Sequence, residues 1–73
     1  MDEQLNTTLK AQRAQRNLTQ AELAELAGIT RKSVNAIEMG HMVPSIVLAL
    51  KLARALDASV ETLFSLAAAP QDE

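Results

Sequence analysis

The chain has 73 residues, a formal charge of −2 and no cysteine. That is one small domain, near the lower size at which a core stands without metal, disulfide or partner. The missing thiols exclude a disulfide framework and a thiolate metal site, and the single His41 cannot hold a metal alone.

An apolar fraction of 48% with Phe64 as the one aromatic residue implies a core of Leu, Ile, Val and Ala, which suits short helices better than a sheet. The opening MDEQLNTTLK lacks an apolar stretch of signal-peptide length, and no run approaches the roughly 20 apolar residues of a membrane span. A soluble, cytoplasmic protein with no membrane contact is expected.

Leu5 to Arg16 reads as part of a first helix, over residues 4–16, with Leu5, Leu9 and Ala14 inward and Lys10, Arg13, Gln15 and Arg16 along its polar sides. Asn17 and Leu18 connect it to a second helix at 20–27. Thr19 caps that helix, and Glu22 completes the capping-box pattern three residues on. Leu23 and Ala27 share a face, and Ala24 between them is small enough for a close, steep helix crossing. Gly28 follows, where a left-handed backbone is inexpensive only for glycine, and Ile29 plugs the corner. Thr30 caps a third helix at 31–39, which turns Val34 and Ile37 inward and leaves Arg31, Lys32, Asn35 and Ala36 outward. Two short helices crossing through a glycine turn of about three residues outline a helix-turn-helix, a device that reads DNA.

Gly40 stops the third helix, and His41 to Pro44 form an irregular link that Pro44 keeps out of helix. Ser45 caps a fourth helix at 46–56. It is apolar almost all round, broken only by Lys51 and Arg54, so a single buried stripe does not account for it and a second chain is expected on part of its surface. Ser59 caps a last helix at 60–66, whose Leu63 and Phe64 close the core. Residues 67–73 read as a frayed tail.

Charge is unevenly distributed. Lys10, Arg13, Arg16, Arg31 and Lys32 precede residue 33, whereas Asp57, Glu61, Asp72 and Glu73 come late, so one face can be positive on an acidic molecule. Phosphate neutralisation supplies most non-specific affinity for nucleic acid, so this balance implies modest, salt-sensitive binding that needs two copies.

The series Leu18 to Ala24 (LTQAELA), Gly28 to Arg31 (GITR), Ser33 to Gly40 (SVNAIEMG), Pro44-Ser45, Leu50 to Asp57 (LKLARALD) and Leu63-Phe64 resembles the Cro/C1 (XRE) helix-turn-helix family, over about residues 5–66. The resemblance implies an all-α, five-helix, lambda-repressor-like domain and a short stand-alone regulator. It further implies that Gln20 holds a phosphate from the start of the second helix, that Arg31, Lys32 and Ala36 face base edges, and that Arg13 and Glu38 form an ion pair tying the first helix to the recognition helix. Arg and Lys can donate to guanine O6 and N7, while Ala36 can offer a methyl contact. Thr30, Ser33, Asn35, Arg16 and His41 complete the expected DNA-facing set. One departure stands out: the family's Asn-Gly-Lys or Asn-Gly-Arg after the recognition helix reads Met39-Gly40-His41, which weakens phosphate anchoring there unless His41 gains charge in acid.

The expected function is a sequence-specific DNA-binding regulator, most simply a repressor that binds an inverted repeat through the major groove as a homodimer, its seam centred on the last helix and drawing on Val47, Leu48, Ala55, Leu63 and Leu66. An antitoxin or a restriction-modification controller would use the same chemistry. An adaptor binding only other proteins is the alternative from another class. No acid, base and nucleophile cluster suggests an enzyme, and neither a cofactor nor a small-molecule ligand is expected.

Overall fold

The computed structural model describes residues 4–66. The expected tail at 67–73 lies outside the described residues. Among them the elements run β1 (Leu5–Thr7), α1 (Leu9–Gln15), α2 (Gln20–Ala27), α3 (Arg31–Glu38), α4 (Ile46–Leu56), α5 (Val60–Leu63) and β2 (Phe64–Leu66). Five helices enclose one apolar core, as the sequence implies, and a small sheet is added to them.

That sheet corrects both ends of the sequence reading. β1 pairs antiparallel with β2, setting Leu5 opposite Leu66, Asn6 opposite Ser65 and Thr7 opposite Phe64. The helix expected over 4–16 therefore starts only at Leu9, and that expected over 60–66 stops at Leu63. Leu5 and Leu9 have helical spacing, but Thr7 and Thr8 between them are β-branched, and their hydroxyls favour contacts that compete with a helix. Thr7 Oγ1 accepts the Leu9 amide at 3.0 Å, and Thr8 Oγ1 donates to the Thr62 carbonyl at 2.7 Å. The Thr8 amide donates to the Leu63 carbonyl at 2.9 Å, so Thr8 welds the two ends together before α1 begins. Ala14, expected inward, is exposed, because five residues after Leu9 it falls on another side of α1, and the position one turn after Leu9 belongs to Arg13.

Caps set the remaining boundaries. Thr19 and Glu22 form a reciprocal capping box, with Thr19 Oγ1 accepting the Glu22 amide at 3.0 Å and Glu22 Oε1 accepting the Thr19 amide at 2.8 Å. Thr30, Ser45 and Ser59 each accept an amide three residues on, from Ser33, Leu48 and Thr62. Gly28, at φ +74°, ends α2 in the left-handed conformation, which lets the Ile29 amide turn back to the Ala24 carbonyl at 3.0 Å. A methyl group at Gly28 would meet no atom within 4 Å beyond its immediate chain neighbours, so only the backbone conformation restricts substitution. Gly28→Ala is therefore expected to lower unfolding stability by about 1–2 kcal/mol, read from urea titration, without altering the packing of α2 on α3.

The core gathers Leu9 of α1, Leu23, Ala24 and Ala27 of α2, Val34 and Ile37 of α3, Ala49, Leu52, Ala53 and Leu56 of α4, then Leu63 and Phe64. Ala24 and Ala27 are what allow α2 and α3 to cross closely. Ala49, Leu52, Ala53 and Leu56 fall on one stripe of α4. Ile46, Val47 and Leu50 lie off it, and each is more than half exposed. Leu63 is fully buried, which corrects its assignment to a dimer seam: it ends α5 within the common apolar core and offers no surface to a second copy.

Candidate nucleic-acid interface

The open side of α3 presents Arg31, Lys32 and Asn35, all exposed and together lining one shallow depression. Thr30 starts the helix with its hydroxyl committed locally: Oγ1 accepts the Ser33 amide and donates to Ser33 Oγ at 3.0 Å. Ser33 and Ala36 are half-buried at the margins of that surface. Position 31 therefore brings the first free charge after the turn, and position 35, one turn on, shares its face.

A second layer braces this surface from behind. Arg13 of α1 reaches α3, donating from Nε to Glu38 Oε2 at 2.7 Å and from a terminal nitrogen to Oε1 at 3.1 Å. Its other terminal nitrogen donates to the Leu18 carbonyl at 2.8 Å, so one guanidinium ties α1, the turn into α2, and α3. The Glu38 side chain is 3% exposed and that of Arg13 15%. Burial alone pushes the Glu38 carboxyl up, but hydrogen bonds from Arg13 and Gln20, with the charges of Arg13 and Lys10, outweigh it and hold the group below its ordinary value. The hydrogen bond to Glu38 raises Arg13 in turn.

Gln20, expected to hold a phosphate, occupies a different position in this layer. Its Nε2 donates to Glu38 Oε1 at 3.0 Å and to Asn35 Oδ1 at 3.1 Å, which uses both amide hydrogens inside the protein. A phosphate contact from this side-chain nitrogen would break one of those bonds. The sequence offered no local signal for the link, because Gln20 and Asn35 are brought together only by the angle at which α2 crosses α3.

Two residues of the expected DNA-facing set lie outside the central depression. Arg16, at the end of α1, is exposed and folds back on Gln12, donating to its carbonyl at 2.8 Å and to its Oε1 at 2.9 Å. His41 is exposed just past α3, its amide donating to the Ala36 carbonyl at 2.8 Å. Gly40, at φ +80°, makes that return possible.

Two short helices meeting at a glycine turn, with charged residues on the outer face of the second, match the family profile described as Helix-turn-helix over residues 9–63. The chain belongs to this family. An uncharacterized HTH-type transcriptional regulator from Methanothermobacter thermautotrophicus is 41% identical over 63 residues, spanning 85% of this chain and 91% of its own. The regulator YgzD from Bacillus subtilis, likewise uncharacterized, is 40% identical over 60 residues, spanning 82% and 91%. Among solved structures, the restriction-modification controller protein C.AhdI from Aeromonas hydrophila superposes with a TM-score of 0.72 at 39% identity, over 74% of this chain and 82% of that one. This helix-turn-helix protein is thus a transcriptional regulator with a DNA-binding fold of the Cro/C1 type. No helix among its described residues is long and apolar enough to cross a membrane.

Proposed function

We propose that this regulator binds double-stranded DNA sequence-specifically, laying α3 in the major groove, and that it represses transcription as a cytoplasmic homodimer on an inverted repeat. The observation that carries the reading is the placement of Arg31, Lys32 and Asn35 on one exposed face of a helix braced from behind by Arg13, Glu38 and Gln20. Thr30, Ser33, Ala36, Arg16 and His41 flank that face, where phosphate oxygens would pass. A molecule with net charge −2 has little general attraction for a polyanion, so its affinity has to come from a fitted surface used twice. Helix-turn-helix dimers set their recognition helices about 34 Å apart, one turn of DNA.

The second copy is expected on α4 rather than centred on the last helix, which is a single turn ending at the buried Leu63. Ile46, Val47 and Leu50 are exposed on α4, and a groove between α4 and α5 is lined by Ile46, Leu50, Ala53 and Val60 with Arg54 and Glu61 at its margin. Leu66 on β2 is also exposed, and Leu48 and Ala55 are half-buried on the other flank of α4. A face carrying both charges can pair with itself about a two-fold axis.

Retention of sheared genomic DNA by the purified protein at low and moderate salt, followed by sequencing, tests the whole reading. Recovery of an inverted repeat supports it; retention without sequence preference by a folded chain favours the protein-binding adaptor. Arg31→Ala with Lys32→Ala should weaken operator binding by about thirtyfold or more, the sum of two contacts at about 1–3 kcal/mol each, while circular dichroism stays unchanged. Leu50→Glu should turn a dimeric mass into a monomeric one in sedimentation equilibrium, leaving the monomer folded. A restriction-modification controller role is the second reading, favoured by the superposition on C.AhdI, and would place the operator beside the genes of such a system.

A further inference from the structure

Glu38 has no route to a base edge, yet it heads a chain of hydrogen bonds that ends on the exposed face of α3. An ionised carboxylate only accepts, so the Gln20 group 3.0 Å from Glu38 Oε1 has to be the amide nitrogen. That nitrogen also lies 3.1 Å from the Asn35 side chain, and two donors cannot face each other, so Asn35 has to turn its oxygen toward Gln20. The direction of both amides follows from the carboxylate, independently of how either amide is drawn. The arrangement leaves the Asn35 amino group as the arm free for an outside partner.

We infer that Glu38 is a positioning residue for sequence choice: through Gln20 it makes Asn35 present a hydrogen-bond donor to the DNA. This rests on the reading of α3 as the helix in the groove. An Asn free to use both arms pairs with adenine, donating to N7 and accepting from N6. With its oxygen turned back toward Gln20, Asn35 directs its amino group outward and favours bases whose major-groove edge accepts, the O6 and N7 of guanine, the N7 of adenine or the O4 of thymine. Cytosine, which offers a donating N4 amino group, is the base it disfavours. Arg13 holds the carboxylate from the other side, so α1 also shapes base choice without approaching DNA.

The test selects bound duplexes from a pool with a randomised core, using the whole chain as wild type and as Asn35→Ala, Glu38→Gln and Gln20→Met, each at a temperature where circular dichroism shows it folded. Loss of preference in Asn35→Ala identifies the base position concerned. The wild type should disfavour cytosine there by about tenfold relative to its best base, and both Glu38→Gln and Gln20→Met should shrink that margin to within about threefold while preferences at other positions persist. Gln20→Met leaves the ion pair intact and so serves if Glu38→Gln does not fold. A uniform drop in affinity with unchanged base preferences would make Glu38 purely structural and overturn the inference. Preference for cytosine, or no position that responds to Asn35→Ala, overturns it as well. A folded wild type that selects no sequence at all overturns the DNA-regulator reading itself.

Discussion

Glu38→Ala is expected to lower unfolding stability by about 3 kcal/mol, because it strands the guanidinium of Arg13 against α3 with its carboxylate partner gone. In a domain of this size that corresponds to a fall in Tm of about 12–24 °C. The loss measures the cost of an unpaired charge rather than the strength of the pair, and a double substitution separates the two. Arg13→Met with Glu38→Met removes both charges and keeps side chains that can fill the space, so it should recover more than half of the loss. If the double variant is as unstable as Glu38→Ala, the pair itself is strongly stabilising and the stranded-charge argument fails.

The same carboxyl makes stability depend on acid in a defined direction. Its value is depressed in the folded chain, so below the ordinary carboxylate range the unfolded chain binds the proton first. The stabilisation is complete above the unfolded value and disappears as pH falls through the folded one. Glu38→Gln carries no such proton, so the gap in urea midpoint between it and the wild type should narrow as pH falls through and below the ordinary carboxylate range. A gap constant over that range would mean that the donors around Glu38 do not hold it ionised.

What the sequence made legible was governed by neighbouring residues. The caps at Thr19, Thr30, Ser45 and Ser59 and the left-handed Gly28 satisfy or redirect backbone groups within five residues, so their spacing alone marked α2, α3, α4 and the start of α5. Each strand was hidden because its partner lies far along the chain: Leu5 and Leu9 have the apolar spacing of a helix until Phe64–Leu66 arrives beside Leu5–Thr7. Leu63, by contrast, follows from helical spacing after the Ser59 cap: it lies in the core and so leaves no side chain for a dimer seam. On the α3 face, helical periodicity accounts for the company that Arg31, Lys32 and Asn35 keep. The inward direction of the Gln20 amide depends on where α2 crosses α3, which no local pattern encodes.

Leu52→Ala is expected to cost about 2–5 kcal/mol, the range for emptying a fully buried leucine site. Globular domains store roughly 0.05–0.15 kcal/mol per residue, so a chain this short holds only about 4–11 kcal/mol. The variant should therefore lie near its unfolding transition at physiological temperature and lose DNA binding along with its fold. Leu50, two residues away on the other side of α4 and 55% exposed, provides the contrast. In dilute protein Leu50→Ala should change the urea midpoint by less than about 0.5 kcal/mol in stability terms, as for an ordinary surface site. In concentrated protein it should lag behind the wild type, because only the wild type gains stability from self-association as concentration rises. Urea titrations of the three proteins at two concentrations distinguish these effects. A concentration-independent loss in Leu50→Ala equal to that in Leu52→Ala would mean that both sides of α4 are packed within one chain, leaving no apolar face there for a second copy.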